Sequence, residues 1–131
     1  MGKGIVHFEI HATEPEKLAE FYRAVFGWDI QKWAGPMEYW LVMTAKKGAP
    51  NAINGGIVRR SGKASGPGVS PNAFVCTAEV DDIDATMKKA AELWAVEAMP
   101  KFAIANMAWQ AYMIDPDGNL FGLHQLDPNA K

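Results

Sequence analysis

The sequence predicts an α+β protein built from two tandem βαβββ modules whose strands form a cup-shaped mixed sheet. Three observations carry this expectation. A strand pattern of period two runs straight into a helix pattern of period 3.6 near the start of the chain. The same order of patterns begins again after about residue 72. Between the two lies Ser61 to Pro71, SGKASGPGVSP, a connector dense in Gly, Ser and Pro.

The elements follow in order. Ile5 to His11 alternates, with Val6, Phe8 and Ile10 on one side and His7, Glu9 and His11 on the other, so one face meets a core and one a wetter space. Thr13 stands three residues before Glu16, the spacing of a capping box, with Pro15 in the first helical turn. Leu18, Phe21, Tyr22, Val25 and Phe26 form the apolar stripe of that helix, and Gly27 stops it. Strands are expected at Trp28 to Trp33, Glu38 to Thr44 and Ile53 to Arg59, with Gly35-Pro36 and Lys46 to Asn51 as breaks. In the second half a strand runs from Ala73 to Val80, and Asp81 or Asp82 caps a helix whose stripe is Ile83, Met87, Ala90, Ala91 and Trp94. Strands near Val96 to Met99, at Ala108 to Ile114 and at Leu120 to Gln125 complete it. The last two are joined through a turn at Asp115-Pro116-Asp117-Gly118-Asn119. The whole chain, 1–131, is expected to be a single domain, with module 1 over about 5–60, the linker over about 61–71 and module 2 over about 72–126.

Composition narrows the function. The chain has 131 residues, 49% of them hydrophobic, and 13 Lys plus Arg against 15 Asp plus Glu for a net charge of −2. That balance lacks the positive field that holds a phosphate backbone, so no nucleic acid partner is expected. No apolar run is long enough to span a bilayer or to serve as a signal peptide, so no membrane partner and a cytoplasmic setting are expected. Cys76 is the single cysteine, which excludes an intramolecular disulfide and a cysteine-rich zinc site; it falls on the helix side of its strand and is expected to be buried.

If each helix covers one sheet face, the Val6, Phe8, Ile10 side of module 1 and the Phe74, Cys76, Ala78 side of module 2 are covered. His7, Glu9 and His11, and Val75, Thr77 and Glu79, then line the helix-free faces, a setting suited to a small-molecule site. Trp28 and Trp94 are expected to pack. Trp33, Trp40 and Trp109 lie on strands or strand ends, where flat indole faces can stack on a planar ligand. Gly55-Gly56 is expected to mark a strand kink or a close backbone approach. Arg59, Arg60 and Lys63 read as a solvated edge.

VHFEI (6–10), EKLAEFYRAVFGW (16–28), EVDDIDATMKKA (79–90) and DPDGNLFGLHQ (115–125) together resemble the signature segments of the vicinal oxygen chelate superfamily. That is the group of glyoxalase I, bleomycin resistance proteins and extradiol dioxygenases. The opening HFEI and the helix ending VFGW are most similar to its small glyoxalase-related predicted enzymes. The resemblance implies the paired-module fold and a homodimer. It also implies a metal position supplied by one His, Gln or Glu from the first and last strands of each module. His7 falls on the first of these; Val75 falls on its counterpart in module 2. The last-strand Glu is replaced by Gly122, and the fourth position lies near Asn54 to Gly56. One ligand in four does not make a site.

The reading is therefore a superfamily member that binds a small, partly aromatic molecule, with no cofactor and no complete metal site. Its ligand-binding candidates are His7, Glu9, His11, Trp40, Thr77, Glu79, Trp109 and His124. The alternative is a metal-dependent lyase, isomerase or dioxygenase. In it, Ni, Zn, Mn or Fe sits at a degenerate or shifted site around His7, drawing on the His7-Glu9-His11 row or on His124 two residues past Gly122. Whether the protein is an enzyme stays open; if it is, Glu9 and Glu79 are the general-base candidates, and a glyoxalase-related lyase or dioxygenase is the class.

Overall fold

The computed structural model describes residues 2–64, 74–115 and 119–131. Within them are eight strands and two helices in the order βαβββ, βαβββ. Expectations for residues 65–71 of the connector, for Ala73 and for Pro116 to Gly118 of the last turn fall outside the described residues. Among the described residues no helix is long and apolar enough to cross a membrane. The chain divides into two compact units, His7–Phe74 and Met1–Val6 with Val75–Lys131.

In the first unit, β1 (Ile5–Ala12) leads into α1 (Pro15–Phe26), then β2 (Asp29–Lys32), β3 (Trp40–Met43) and β4 (Asn54–Arg59). The strand order is β2-β3-β4-β1, with β1 parallel to β4 and the other neighbours antiparallel. Ile10, Ala12, Ala19, Ile30, Trp40, Val42 and Ile57 form the core under α1, with Phe8, Leu18, Tyr22 and Trp28 packed against it. Trp28 stacks on Tyr22 at 5.0 Å, so it packs as the sequence predicts. Gly27 ends α1 in the left-handed region at φ 68°, where a residue without Cβ is least strained. The capping box does not form. The N-cap is Glu14, which makes no side-chain cap bond, and Thr13 lies one residue outside. Pro15 fills the first turn, and its missing N–H leaves a hydroxyl cap less to satisfy.

In the second unit, β5 (Val75–Glu79), α2 (Ile83–Glu92), β6 (Val96–Ile104), β7 (Ala108–Ile114) and β8 (Leu120–Leu126) repeat the pattern. The order is β5-β8-β7-β6, with β5 parallel to β8 and the remaining pairs antiparallel. Residues before β1 belong here too: Gly4 accepts from the Glu79 N–H at 3.1 Å, and Lys3 pairs with Asp81. Asp82 caps α2 by accepting from the Ala85 N–H at 3.0 Å. Val80, Ile83, Ala111, Met113 and Leu123 form the core, joined by Met87, Ala90, Ala95, Trp109 and Phe121.

Two packing expectations are corrected here. Trp94 is not core: α2 ends at Glu92, two residues short of it, and Trp94 stands at φ 77° with 83% of its surface exposed. Cys76 is exposed, not buried. α2 packs chiefly on β6, β7 and β8. Phe74 instead stacks with Phe8 at 5.6 Å in the first unit's aromatic cluster.

Candidate functional site

In the first unit the face of β1 turned away from α1 carries His7, Glu9 and His11, standing opposite Asn54, Gly56 and Val58 of β4. Period two in β1 and the parallel register of β4 place them there. Glu9 is only 8% exposed. A residue that the sequence did not single out completes this row. Tyr39, just before β3, brings its hydroxyl within 2.6 Å of His7 Nε2, in a hydrogen bond, with the two rings 17° from parallel. Gly56 makes room for it, since a Cβ there would lie 2.0 Å from the Tyr39 ring. His11 is half-buried, and its carbonyl accepts from Arg60 at 2.8 Å.

Trp40 lies on the opposite side. It is 4% exposed in the core beneath α1, and its Nε1–H donates to Glu16 at 2.7 Å. That bond and the Arg23 guanidinium hold the Glu16 carboxyl below the usual range, Arg23 being the larger influence.

In the second unit the helix-free face carries Thr77 and Glu79 of β5, Gly122 and His124 of β8, and Gln110 and Tyr112 of β7. The ladders pair Thr77 with Gly122 and Glu79 with His124, and then His124 with Gln110 and Gly122 with Tyr112. Gln110 Oε1 and His124 Nδ1 are 2.9 Å apart. Thr77 is 1% exposed and Gln110 5%. Thr77 Oγ1 is buried and, among the described residues, has no hydrogen-bond partner. Bare Gly122 accommodates both side chains: a Cβ there would lie 2.2 Å from Thr77 Oγ1 and 3.1 Å from Gln110 Nε2. Phe102 of β6 stands opposite Gln110. Trp109 faces the α2 core, where its Nε1–H donates to Asp127 at 2.9 Å and Lys101 lies 4.7 Å from the ring centroid.

Burial pushes the His124 imidazole below its ordinary value of 6.5, against a smaller upward pull from Glu79. The folded protein thus binds this proton less readily than the unfolded chain. The stability it allows is present above about pH 6.5 and falls as the pH drops from there towards the folded value. Urea midpoints at about pH 7.5 and 5.5 test this: the parent is expected to lose more stability on acidification than His124→Gln. Equal losses would show that His124 is not a source of the dependence.

The metal that the resemblance implies does not fit these residues. His7 Nε2 is engaged by Tyr39, and Asn54 Oδ1 accepts from the Thr44 N–H at 2.8 Å. Gly56 and Gly122 have no donor, and the space that a side chain would need is taken by Tyr39 and by Thr77. Val75 is an apolar residue, 8% exposed. Among the described residues no group of three or more His, Cys, Asp or Glu could hold an ion.

The fold is similar to that of a hypothetical protein from Bacillus halodurans C-125, at a TM-score of 0.68 and 12% identity over 100% of this chain and 99% of that one. It is similar to methylmalonyl-CoA epimerase from Mycobacterium tuberculosis, at 0.62 and 16% identity over 95% and 89% of the two chains. A glyoxalase/bleomycin resistance protein/dioxygenase superfamily member from Vibrio splendidus 12B01 matches at 0.62 and 16% identity over 95% and 99%. No curated protein matches the chain. Residues 7–124 match the family described as Glyoxalase-like domain, and the chain belongs to that family.

Proposed function

We propose that the protein binds a small, partly aromatic molecule on the helix-free face of its second module, without a protein-held metal. One observation carries the reading. Gln110, Thr77 and His124 gather around bare Gly122, flanked in register by the rings of Tyr112 and Phe102. Polar groups buried with hydrogen-bonding capacity to spare, beside aromatic walls, are what a planar ligand with a few polar atoms requires. A methylmalonyl-CoA epimerase of the same fold, 15% identical, has been solved with methylmalonyl-CoA, which supports small-molecule binding on this architecture in general. With this reading go a cytoplasmic setting and a homodimer. Leu93, Trp94 and Val96, exposed by 61%, 83% and 61%, supply an apolar patch of the kind that subunit contacts cover.

The test is a titration of chelator-stripped protein with planar heteroaromatic compounds and, separately, with Ni²⁺, Zn²⁺, Mn²⁺ and Fe²⁺, followed by calorimetry and by amide chemical shifts. Saturable binding of planar compounds, with shifts on β5, β7 and β8, is expected. Stoichiometric metal binding that His7→Ala abolishes would overturn the reading. It would favour a metal-dependent lyase, isomerase or dioxygenase with its site around His7.

A further inference from the structure

Two adjacent arginines at the end of β4 stand in opposite circumstances. Arg59, the last residue of the strand, donates to the Glu38 carboxylate from Nε at 2.8 Å and from Nη2 at 3.3 Å. Arg60 has no such partner. Its main-chain N–H donates to the Ala12 carbonyl at 2.8 Å, and its Nη2 donates to the His11 carbonyl, also at 2.8 Å. The side chain is half-buried, and its Nε is buried and, among the described residues, has no hydrogen-bond partner. None of the ion pairs among the described residues includes Arg60. The stretch of chain that follows it, Ser61 to Ala73, contains no Asp or Glu. A guanidinium cannot shed its charge, so partial burial without a counter-ion is unfavourable, and an anion that reaches it gains charge-assisted bonds.

We propose that Arg60 anchors an anion site on the helix-free face of the first module, where it takes the carboxylate of a small, apolar monocarboxylate. Position supports this. Asn54, Gly56 and Val58 stand opposite His7, Glu9 and His11, and Arg60, two residues past Val58, continues that row by alternation. The His11 carbonyl takes one N–H of Nη2, which leaves Nη1 and the second N–H of Nη2 for a ligand. The same face offers apolar surface for the body of the ligand: Val58 opposite His11, and Leu41, 44% exposed, opposite Gly56. Glu9, two residues before His11 on this face, repels a second negative charge, so a carboxylate suits the site better than a phosphate. The site lies in the first unit and does not depend on the reading of the second module's face.

The experiment uses the full chain, nitrogen-15 labelled, titrated with benzoate, benzamide and phenyl phosphate. The first carries one charge, the second is its neutral counterpart, and the third carries close to two charges at neutral pH. Benzoate is expected to saturate, shifting the Arg60 Nε–H signal and the main-chain amides of His11, Ala12 and Arg60. It should bind at least about tenfold more tightly than benzamide, and more tightly than phenyl phosphate. Arg60→Gln should bring benzoate down to the affinity of benzamide, whereas Arg59→Gln should leave it unchanged. Equal binding of benzoate and benzamide, no benzoate binding, shifts confined to other strands, or binding that survives Arg60→Gln would each overturn the site. Phenyl phosphate binding as tightly as benzoate would overturn the restriction to a single charge. Should Arg60→Gln lose its amide dispersion, the benzoate-to-benzamide ratio and the shifts in the parent decide alone. The planar titration reads on β5, β7 and β8, so failure of either reading leaves the other standing.

Discussion

Replacing Gly55 by Ala is expected to destabilise the protein by about 3 kcal/mol or more. Gly55 sits in β4 between Phe8 of β1 and Val42 of β3, on the side that faces the α1 core. A Cβ there would lie 2.3 Å from the Phe8 carbonyl oxygen and 2.7 Å from two atoms of the Phe8 ring. A flexible side chain in that position could swing aside, but a backbone oxygen cannot. The parallel β1–β4 ladder would have to open, and Phe8, held by Phe74 at 5.6 Å and Trp28 at 6.2 Å, would have to shift with it. Gly48→Ala provides the contrast. Its φ of 83° strains an alanine, but no atom lies within 4 Å, so the cost should stay near about 1 kcal/mol. Urea unfolding of the two variants beside the parent decides it. A Gly55→Ala loss no larger than that of Gly48→Ala would show that β1 and β4 are not packed as closely as described.

That close approach was readable from the sequence as one of two meanings of a Gly-Gly pair inside a strand, and so was much of the fold. Alternation in β1, the α1 stripe, Gly27 as a stop and Asp82 as a cap are all local signals, set by residues within one turn or one pleat of each other. The misreadings have the opposite character. Trp94 continues the periodicity of α2 by spacing, yet the helix ends before it because Leu93 takes the C-cap. Cys76 alternates correctly along β5, but which side of a strand is covered depends on where the helix lies, and α2 lies over β6 to β8. Strand position alone puts Trp40 with the ligand-facing residues, but the register of β3 against β4 sets it beside Ile57 in the core. Among site residues, the His7-Glu9-His11 row follows from period two. Tyr39 could not be found that way, because it reaches His7 across Gly56 from another strand's approach. Gln110 did leave a signal. Counting back one residue per strand from Asp115 and Asn119, which are hydrogen-bonded between β7 and β8, puts Gln110 opposite His124.

Placing a glutamate at Gly122, the residue type that the superfamily resemblance puts on this strand, is expected to cost about 3 kcal/mol and to leave the protein without tight metal binding. The first atom of the side chain already meets Thr77 Oγ1 at 2.2 Å, and Thr77 is 1% exposed with no space to retreat into. The carboxylate would then be confined on a face that already carries Glu79, with the Gln110 amide as the nearest donor. Thr77→Ala in the same chain removes the obstructing hydroxyl and methyl, and should recover about 1–2 kcal/mol of the loss. Neither variant supplies the other donors: Val75 stays apolar, Gly56 stays bare and His7 stays bonded to Tyr39. Denaturant unfolding and a Zn²⁺ titration of Gly122→Glu and of Thr77→Ala/Gly122→Glu separate the two claims. A stable Gly122→Glu would mean that Thr77 does not fill the glycine's place. Stoichiometric Zn²⁺ binding by the double variant would mean that one carboxylate was all that the module lacked.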